Sequence, residues 1–392
     1  MIPVSEAKHI ILEQTRSFGT TRVDFKDALG KILAEDLLAD QDFPPFNRVM
    51  MDGIAVRFRD LETHKTFNKI GIVGAGETCS VVPNAGDCIE IMTGAKLPES
   101  FDTVVPYEDI DFIENHFSIK KYPSKAGQNV HTKGLDARKG DVLVPKGRIV
   151  NESIIGVMAS IGKTNVEVLK SPRILILSVG NELIEIDQTP NEVEIRKSNV
   201  YALHSLCATM GIQAEMKHLP DDRNIIHQAF QDIEHYDVLL LSGGVSKGLF
   251  DFVPSELEAA GFNKTFHKVE QKPGKPFWFG TKEHQVVFAF PGNPISTLVC
   301  AKYYFVAWLR TSLGLEQNTS FIKLSVDFEK KGSLTNFLGV KIKNENSILM
   351  AHPAPGNGSG DFASLVHIDG WVVLPAGQNH FEGGCLLEFV PC

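Results

Sequence analysis

The spacing of apolar and polar positions changes several times along this 392-residue chain. Residues 4–18 carry an apolar stripe with helical spacing, residues 24–38 repeat it, and residues 151–163 return to it. Such a stripe is typical of a helix that buries one face. We therefore predict three amphipathic helices, the second with Asp24 as its N-cap and the third ending near Gly162.

Between residues 67 and 150 the apolar runs are short and alternating, with glycine and proline between them. This pattern predicts a β-rich domain. Because helical segments precede and follow it, we expect the β-rich domain to be an insertion. We assign residues 46–139 to this insertion, and residues 1–45 together with residues 140–168 to a helical or extended segment.

Segments with strand and helix character alternate from residue 171 to residue 312. That alternation predicts a right-handed, mostly parallel α/β sheet, which we assign to residues 169–313. Five short apolar runs separated by turns follow in residues 314–392 and predict a small β-barrel or sandwich. The expected fold class is multidomain α/β: a parallel α/β domain, a helical or extended segment, an inserted β-rich domain and a C-terminal small β-barrel.

Two apolar runs of the α/β domain, residues 238–241 and 286–290, end abruptly in loops that suit a ligand. In an open α/β sheet, ligands bind beyond the carboxyl ends of such strands. The first loop is rich in glycine, and the second is a PGNP segment that precedes a helix, whose first N–H groups attract anions. The candidate binding residues in the two loops are Gly243, Gly244, Ser246, Gly248, Pro291, Gly292, Asn293 and Pro294.

Charged and hydroxyl side chains near these loops suggest further chemistry. Lys272 and Lys275 flank a Pro-Gly turn, and they form either a solvated surface pair or a site for a phosphate or oxyanion. Loop carboxylates usually cap helices or form turns, but Asp251 follows the glycine loop closely enough to hold magnesium between phosphates. The other loop candidates are Asp52, Glu182, Asp222, Thr93 and Ser359, the last two on glycine-containing loops where an ST-turn or a flexible linker is the alternative.

Composition narrows the class of ligand and the location. The net charge of −9 argues against nucleic-acid binding, which needs a basic face, but allows small anionic substrates where cations are concentrated locally. The six cysteines form no CxxC pair, as expected for reduced thiols in a cytoplasmic protein. No signal-peptide pattern and no apolar run of about 18 residues occurs, so we expect no membrane span. Walker A, GxGxxG, GxSxG and HExxH patterns are absent from the sequence, which disfavours P-loop, hydride-transfer and zinc chemistry.

An ordered set of motifs resembles the molybdopterin molybdenumtransferase family, which includes MoeA and the C-terminal domain of gephyrin. The motifs are FPPFNRVMMDGIAV, IMTGAKLP, LPDD, GGVSKGLFDFVP, KPGKP, PGNP and GNGS, and they cover nearly the whole length. GGVS and PGNP alone are shared with the related molybdopterin adenylyltransferases. The full set with the MDG and MTGA motifs is specific.

This resemblance implies an enzyme that takes adenylylated molybdopterin and molybdate, releases AMP with the help of Mg²⁺, and delivers molybdenum to the dithiolene. The pterin and nucleotide would lie on the Gly243–Gly248 loop and PGNP, the oxyanion would meet Lys272, Lys275 and Ser296, and the metal would meet Asp251 and Glu182. The catalytic residues carried over are Asp52, Thr93, Glu182, Asp222, Asp251, Lys272 and Lys275.

The family also implies an elongated homodimer with a shared active-site cleft. Residues 1–45 and 140–168 would form the dimerisation domain, and Asp52, Thr93 and Ser359 would act on the partner's α/β domain. A molybdopterin adenylyltransferase is a candidate partner of the dimer.

The chain departs from the family pattern at several positions. Val179 and Asn181 stand in a segment that is usually STGDE, and Lys197 stands where an aspartate is usual. Gly339 lies in the barrel segment where the family often has an arginine, and Lys341 is a candidate replacement for that arginine. Lys247 stands at a position where the family commonly has an apolar residue. Two alternatives stay open: an adenylyltransferase-type activity, which the shared GGVS and PGNP motifs suggest, and a non-catalytic scaffold or regulatory paralogue, which these departures suggest.

Overall fold

The computed structural model describes residues 1–113, 116–245, 251–317, 319–354 and 356–392. The predicted loop residues Ser246 and Gly248, with Lys247, lie outside the described residues. Two compact units are formed, one from Met1–Thr21 and Leu169–Cys392 and the other from Arg22–Val168. A search of the described ranges finds no helix with the length and hydropathy needed to cross a membrane.

Seven α-helices lie within the described ranges. They are α1 Val4–Glu13, α2 Glu152–Ser160, α3 Asn199–Thr209, α4 Arg223–Ala229, α5 Val253–Ala259, α6 Pro294–Cys300 and α7 Val306–Ser312. A single π-helical turn, Ala301–Phe305, joins α6 to α7. Helix α2 confirms the prediction from helical spacing, and the Asn151 side chain caps it by accepting a hydrogen bond from the N–H of Ile154 at 3.0 Å.

The predicted helix over residues 24–38 is wrong. A strand, Thr20–Asp24, precedes it and only a short 3₁₀ turn, Phe25–Ala28, follows. Asp24 does cap that turn, because its carboxylate accepts a hydrogen bond from the N–H of Lys26 at 3.0 Å. Gly30 has a φ of 76°, a left-handed conformation that ends helical structure, so the apolar residues beyond it cannot share one helix face.

Helix α1 belongs to the first unit and not, as predicted, with residues 140–168. The indole N–H of Trp308 on α7 donates to the carbonyl of Gln14 just past α1, at 2.8 Å. The N–H of Arg16 donates to the hydroxyl of Ser312, also on α7, at 3.2 Å. These contacts hold the opening helix against the end of the α/β domain. The other domain boundaries stay predictions.

The strands of residues 20–169 form short pairs and one larger sheet. They are β1 Thr20–Asp24, β2 Leu37–Leu38, β3 Arg48–Val49, β4 Gly53–Val56, β5 Thr66–Val73, β6 Asp87–Ile91, β7 Thr103–Pro106, β8 Ile110–Ile113, β9 His116–Ile119, β10 Val130–His131, β11 Val142–Val144 and β12 Asn165–Leu169. The larger sheet has the order β7-β4-β6-β5-β9-β8. Ile54, Phe67 and Ile89 are completely buried in it. The β-rich character predicted for this part of the chain is confirmed.

The strands of residues 174–391 form the α/β sheet, the barrel and a few short pairs. They are β13 Ile174–Val179, β14 Leu183–Ile184, β15 Ile195–Arg196, β16 Ala214–Leu219, β17 Val238–Ser242, β18 Asn263–Lys268, β19 Gln271–Lys272, β20 Pro276–Lys282, β21 Gln285–Phe290, β22 Ser320–Leu324, β23 Phe328–Glu329, β24 Thr335–Glu345, β25 Ile348–Pro353, β26 Gly370–Leu374, β27 His380–Phe381 and β28 Leu386–Pro391.

The α/β sheet has the order β16-β13-β17-β21-β20-β18. Its first four strands are parallel, and β20 and β18 continue the sheet antiparallel. Strands β13, β17 and β21 are buried along their whole length, as expected for a sheet covered on both faces. The mostly parallel α/β domain is confirmed.

The C-terminal strands close into a five-stranded barrel of β24, β25, β22, β28 and β26, because β24 pairs with both β25 and β26. Each of the five predicted apolar runs contributes one strand, so the predicted small β-barrel is confirmed. Strand β19 adds to the edge of this sheet by pairing parallel with β24, at Gln271–Thr335 and Lys272–Asn336. The KPGKP segment therefore starts on the barrel.

We predict that Phe288→Ala lowers the free energy of unfolding by about 3–5 kcal/mol. Phe288 is completely buried, and its ring centroid lies 5.1 Å from that of Phe279 and 5.5 Å from those of Phe305 and Trp308. Urea denaturation followed by tryptophan fluorescence checks this. Phe321→Ala is the control, because Phe321 is 58% exposed and its loss should change the midpoint little.

Candidate functional site

The candidate site is built on three parallel strands that end side by side. Ser178 at the end of β13 lies opposite Ser242 of β17, which in turn lies opposite Phe290 of β21. The loop after β17 turns sharply, since Gly243 has a φ of 95° and Gly244 a φ of 66°. A Cβ atom at Gly243 would lie 2.3 Å from the carbonyl oxygen of Val179, so only glycine fits there.

A cleft of about 650 Å³ opens at this edge of the sheet. Glu182, Gly243, Gly292, Asn293 and Pro294 line it, so the structure brings five of the predicted site residues together. Ser178, Lys197, Asn199, Ser242 and the barrel residues Gly360 and Phe362 also line it. The barrel and the α/β sheet thus both contribute to one cleft.

Asn199 holds the loops of this cleft together, and sequence reasoning missed it. Its amide nitrogen donates to the hydroxyl of Ser242 at 2.9 Å and to the carbonyl of Gly292 at 2.7 Å. One side chain on α3 therefore ties the end of β17 to the PGNP segment. The available signal was an asparagine at the first position of a helix in the α/β rhythm, which alone does not indicate a loop contact.

The start of α6 is covered by the barrel loop that carries Ser359. The side-chain amide of Asn293 donates to the Ser359 hydroxyl at 2.8 Å. The N–H of Ile295 donates to the Ser359 carbonyl at 3.1 Å. Ser359 therefore contacts the α/β domain of its own chain, and its predicted action on the partner's domain stays a prediction.

A second cavity, of about 460 Å³, adjoins the first on the other side of this contact. Lys272, Ile295, Asn336, Gly339 and Ser359 are among the residues that line it. Asn293 and Pro294 line the larger cleft and Ile295 the smaller cavity, so the first residues of α6 form a wall between the two.

The other predicted oxyanion residues lie close by but do not line either cavity. The carbonyl of Lys275 accepts a hydrogen bond from the N–H of Val269 at 3.0 Å, and Ser296 is buried on α6. The Lys341 ammonium lies 3.4 Å from the Asp369 carboxylate, and Lys341 is not among the residues that line the smaller cavity. Lys272 is therefore the cation of that cavity within the described residues.

The predicted carboxylates have different roles. Asp222 caps α4, with its carboxylate accepting from the N–H groups of Asn224 and Ile225 at 2.9 and 3.1 Å. The preceding Asp221 and Asn181 exchange two backbone-to-side-chain hydrogen bonds of 3.1 and 3.0 Å. Glu182 is exposed on the cleft, whereas Asp251 is half-buried before α5 and does not line it.

No group of three or more histidine, cysteine or acidic side chains that could hold a metal occurs in the described part of the chain. Magnesium usually takes one or two protein carboxylates and completes its shell with phosphate oxygens and water. The Glu182 carboxylate on the cleft fits that donor set, because it is a hard oxygen ligand open to a bound ligand.

A polar cluster lies at the carboxyl ends of β13 and β16. The Ser178 hydroxyl and the His218 ring nitrogen Nδ1 are 3.0 Å apart. Burial of the ring lowers the pKa of His218, and the nearby Lys197 ammonium lowers it further. Lys197 is itself buried and pairs with the Glu185 carboxylate.

Asp52 and Thr93 come together in the second unit. One oxygen of the Asp52 carboxylate accepts hydrogen bonds from the N–H of Thr93 at 2.6 Å and from its hydroxyl at 2.7 Å. These two bonds lower the pKa of Asp52. Both residues are partly or fully exposed, so the ionised carboxylate is held in a fixed orientation at the surface of its unit.

Three family models match the chain in order. The MoeA N-terminal region (domain I and II) matches residues 2–162, a probable molybdopterin binding domain matches residues 175–311, and the MoeA C-terminal region (domain IV) matches residues 322–392. The two smaller models cover the α/β domain and the barrel whose loops form the cleft.

Curated proteins are similar over the full length. A molybdopterin molybdenumtransferase of Synechocystis sp. is 38% identical over 396 residues, which cover 99% of both chains. One of Staphylococcus aureus is 29% identical over 399 residues, covering 99% of this chain and 95% of the relative. A crystal structure of the molybdopterin biosynthesis MoeA protein from Pyrococcus horikoshii has a TM-score of 0.85 at 28% identity, covering 100% of this chain and 99% of that one.

We predict that Thr93→Val raises the pKa of Asp52 towards its ordinary value, because one of the two donors to the carboxylate is lost. The lowered pKa means that the stability from these bonds is present above the ordinary aspartate pKa and is lost as the pH falls through the lowered value. NMR titration of the Asp52 carboxyl carbon measures the shift.

Thr63→Val is the matched control for this titration, since the Thr63 hydroxyl donates to the carbonyl of Asp60 and not to Asp52. An unchanged Asp52 titration in Thr93→Val would contradict the assignment of the hydroxyl bond.

Proposed function

Because the chain belongs to the molybdopterin molybdenumtransferase family, we propose that adenylylated molybdopterin binds in the larger cleft and molybdate in the smaller cavity. The reaction of the two substrates then releases AMP. Its role is that of a transferase in molybdenum cofactor biosynthesis. The observation that carries the proposal is the pair of adjoining cavities of different size, with a lysine in the smaller one.

The larger cleft suits a nucleotide-bearing anion. Its volume of about 650 Å³ lies in the range of small-molecule sites. The glycine at position 243 brings backbone close to the ligand, and Ser178, Asn199 and Ser242 supply neutral polar groups around it. Such groups orient a phosphate without the cost of burying further charge.

The smaller cavity suits a tetrahedral oxyanion. Lys272 supplies a positive charge, and Asn336 and Ser359 supply neutral polar groups. The wall between the two cavities consists of the start of α6 and its contact with Ser359. An oxyanion bound in the smaller cavity would therefore lie next to a phosphoanhydride bound in the larger cleft. We propose that this neighbourhood delivers molybdate to the site where the anhydride bond breaks and AMP leaves. Lys275 and Ser296 line neither cavity, and their predicted role in oxyanion binding stays a prediction from the sequence.

Magnesium would be held by Glu182 together with phosphate oxygens of the ligand, and it would neutralise part of their negative charge. Asp251 does not line the cleft, so its role as a second metal ligand stays a prediction from the sequence. The residues of the chain itself bind and orient the two substrates. Asp222 stays outside this proposal, because its carboxylate is occupied in capping α4.

We further propose that the protein is a cytoplasmic homodimer and that Asp52 and Thr93 complete the cleft of the partner subunit. The fixed, ionised Asp52 carboxylate at the surface of its unit supports this role, because a preoriented acceptor needs little reorganisation on binding. A molybdopterin adenylyltransferase, which would supply the adenylylated substrate, is the proposed partner.

Purified protein incubated with adenylylated molybdopterin, molybdate and Mg²⁺ should release AMP, measured by chromatography of the nucleotide. Removing divalent cations with EDTA should suppress the release, and added Mg²⁺ should restore it. No AMP at saturating substrate would contradict the proposal and favour a scaffold. Pyrophosphate formed from ATP and molybdopterin would instead indicate an adenylyltransferase.

We predict that Lys272→Met lowers molybdate-dependent AMP release at least about tenfold, because one hydrogen bond to a charged group contributes about 1.5–3 kcal/mol. Binding of AMP should change little, since Lys272 lines the smaller cavity and not the cleft. Lys341→Met is the matched control, because Lys341 pairs with Asp369 outside the cavity. Equal losses of AMP binding and molybdate use in Lys272→Met would show that the two cavities are assigned wrongly.

A further inference from the structure

We propose that Lys197 binds a phosphate of the ligand in the larger cleft, and that Glu185 holds the Lys197 ammonium in place while the cleft is empty. This assignment rests on the proposed function, because it takes the ligand to be a nucleotide-bearing anion. It adds a phosphate-binding residue to the lining of the cleft.

The backbone fixes Lys197 at the cleft. Its N–H donates to the carbonyl of Ile184 at 3.0 Å, next to the short parallel pair of β14 and β15. Two residues later α3 begins with Asn199, the side chain that ties the cleft loops together. Lys197 is therefore positioned by the same elements that shape the cleft, and it is among the residues that line it.

The Lys197 ammonium is buried with one carboxylate as its partner. Only 7% of the residue is exposed, and lysine is almost never fully buried unless it is paired. Within the described residues, its one hydrogen-bond partner is the carboxylate of Glu185, whose side chain is 52% exposed. An ammonium carries three donors, so two remain for a ligand.

Charged side chains of both signs line the cleft: the carboxylates Glu182 and Glu194 and the cations Arg196 and Lys197. His218, whose pKa burial and Lys197 lower, stays neutral near pH 7 and does not compete for a phosphate. The hydroxyl of Ser178 and the ring of His218 lie at the ends of neighbouring strands β13 and β16. Ligands of such sheets bind beyond this edge, so the Lys197 charge lies where a phosphate is expected.

Substitutions of the two partners of the ion pair should have opposite effects on the affinity for AMP. The comparison therefore distinguishes a loss of binding from a loss of folding. In Lys197→Gln the cleft loses its buried cation, so the affinity for AMP should fall at least about tenfold. The affinity for adenosine, which has no phosphate, should stay within about twofold. In Glu185→Gln the competing carboxylate charge is lost, so AMP should bind as tightly as before or more tightly.

Isothermal titration calorimetry of the full chain with AMP and with adenosine measures these affinities. Lys197→Arg should keep most of the AMP affinity, since the positive charge remains. Lys330→Gln is the control for losing a buried lysine, because the Lys330 ammonium donates, among the described residues, to the carbonyls of Leu334 and Pro375 in the barrel region.

Equal losses for AMP and adenosine in Lys197→Gln, or unchanged AMP binding, would overturn the assignment. Wild-type protein that binds AMP no more tightly than adenosine would also overturn it. Release of AMP by the wild-type protein, measured as above, reports on the proposed function separately, so either idea can fail without the other.

Discussion

The close approach of Gly243 to the carbonyl oxygen of Val179 is the constraint on which the cleft depends. It lets the chain turn immediately after β17, where any side chain would collide with the neighbouring strand. A Cβ atom at Gly292 would in turn lie 3.7 Å from the Gly243 Cα, so the loops after β17 and β21 touch each other. Asn199 then fixes this arrangement by hydrogen bonds to both. The polar edge of the sheet exists because these turns expose it.

Much of the fold could be predicted from local pattern. Buried parallel strands such as Val238–Ser242 are continuous apolar runs, and the barrel strands are short apolar runs separated by turns, so the local pattern predicts both. No α-helix forms over residues 24–38, although the apolar stripe there has helical spacing, because Gly30 has a left-handed conformation. The position of α1 on α7 was not predictable, because it depends on contacts such as Trp308–Gln14 across nearly the whole chain.

The candidate site was only partly predictable, for the same reason. Glycines and lysines beside strand ends have a local signature, and Gly243 and Lys272 do line the two cavities. Asp222 also lies in a loop beside a strand end, but its carboxylate accepts hydrogen bonds from the first N–H groups of α4 and caps that helix. Asn199 and Lys197 act through partners that no local pattern reveals. Lys197 stood out only as a departure from the family, and its burial turned that departure into a chemical hypothesis.

The hydrogen bonds between Ser359 and the start of α6 have a consequence for the thermodynamics of binding. They are part of the wall of both cavities, so a ligand that shifts this wall in one cavity changes the free energy of occupying the other. Such coupling is reciprocal: if the nucleotide strengthens oxyanion binding by some factor, the oxyanion strengthens nucleotide binding by the same factor. Where two ligands favour the same position of this wall, the barrel loop favours joint over separate occupancy of the cavities.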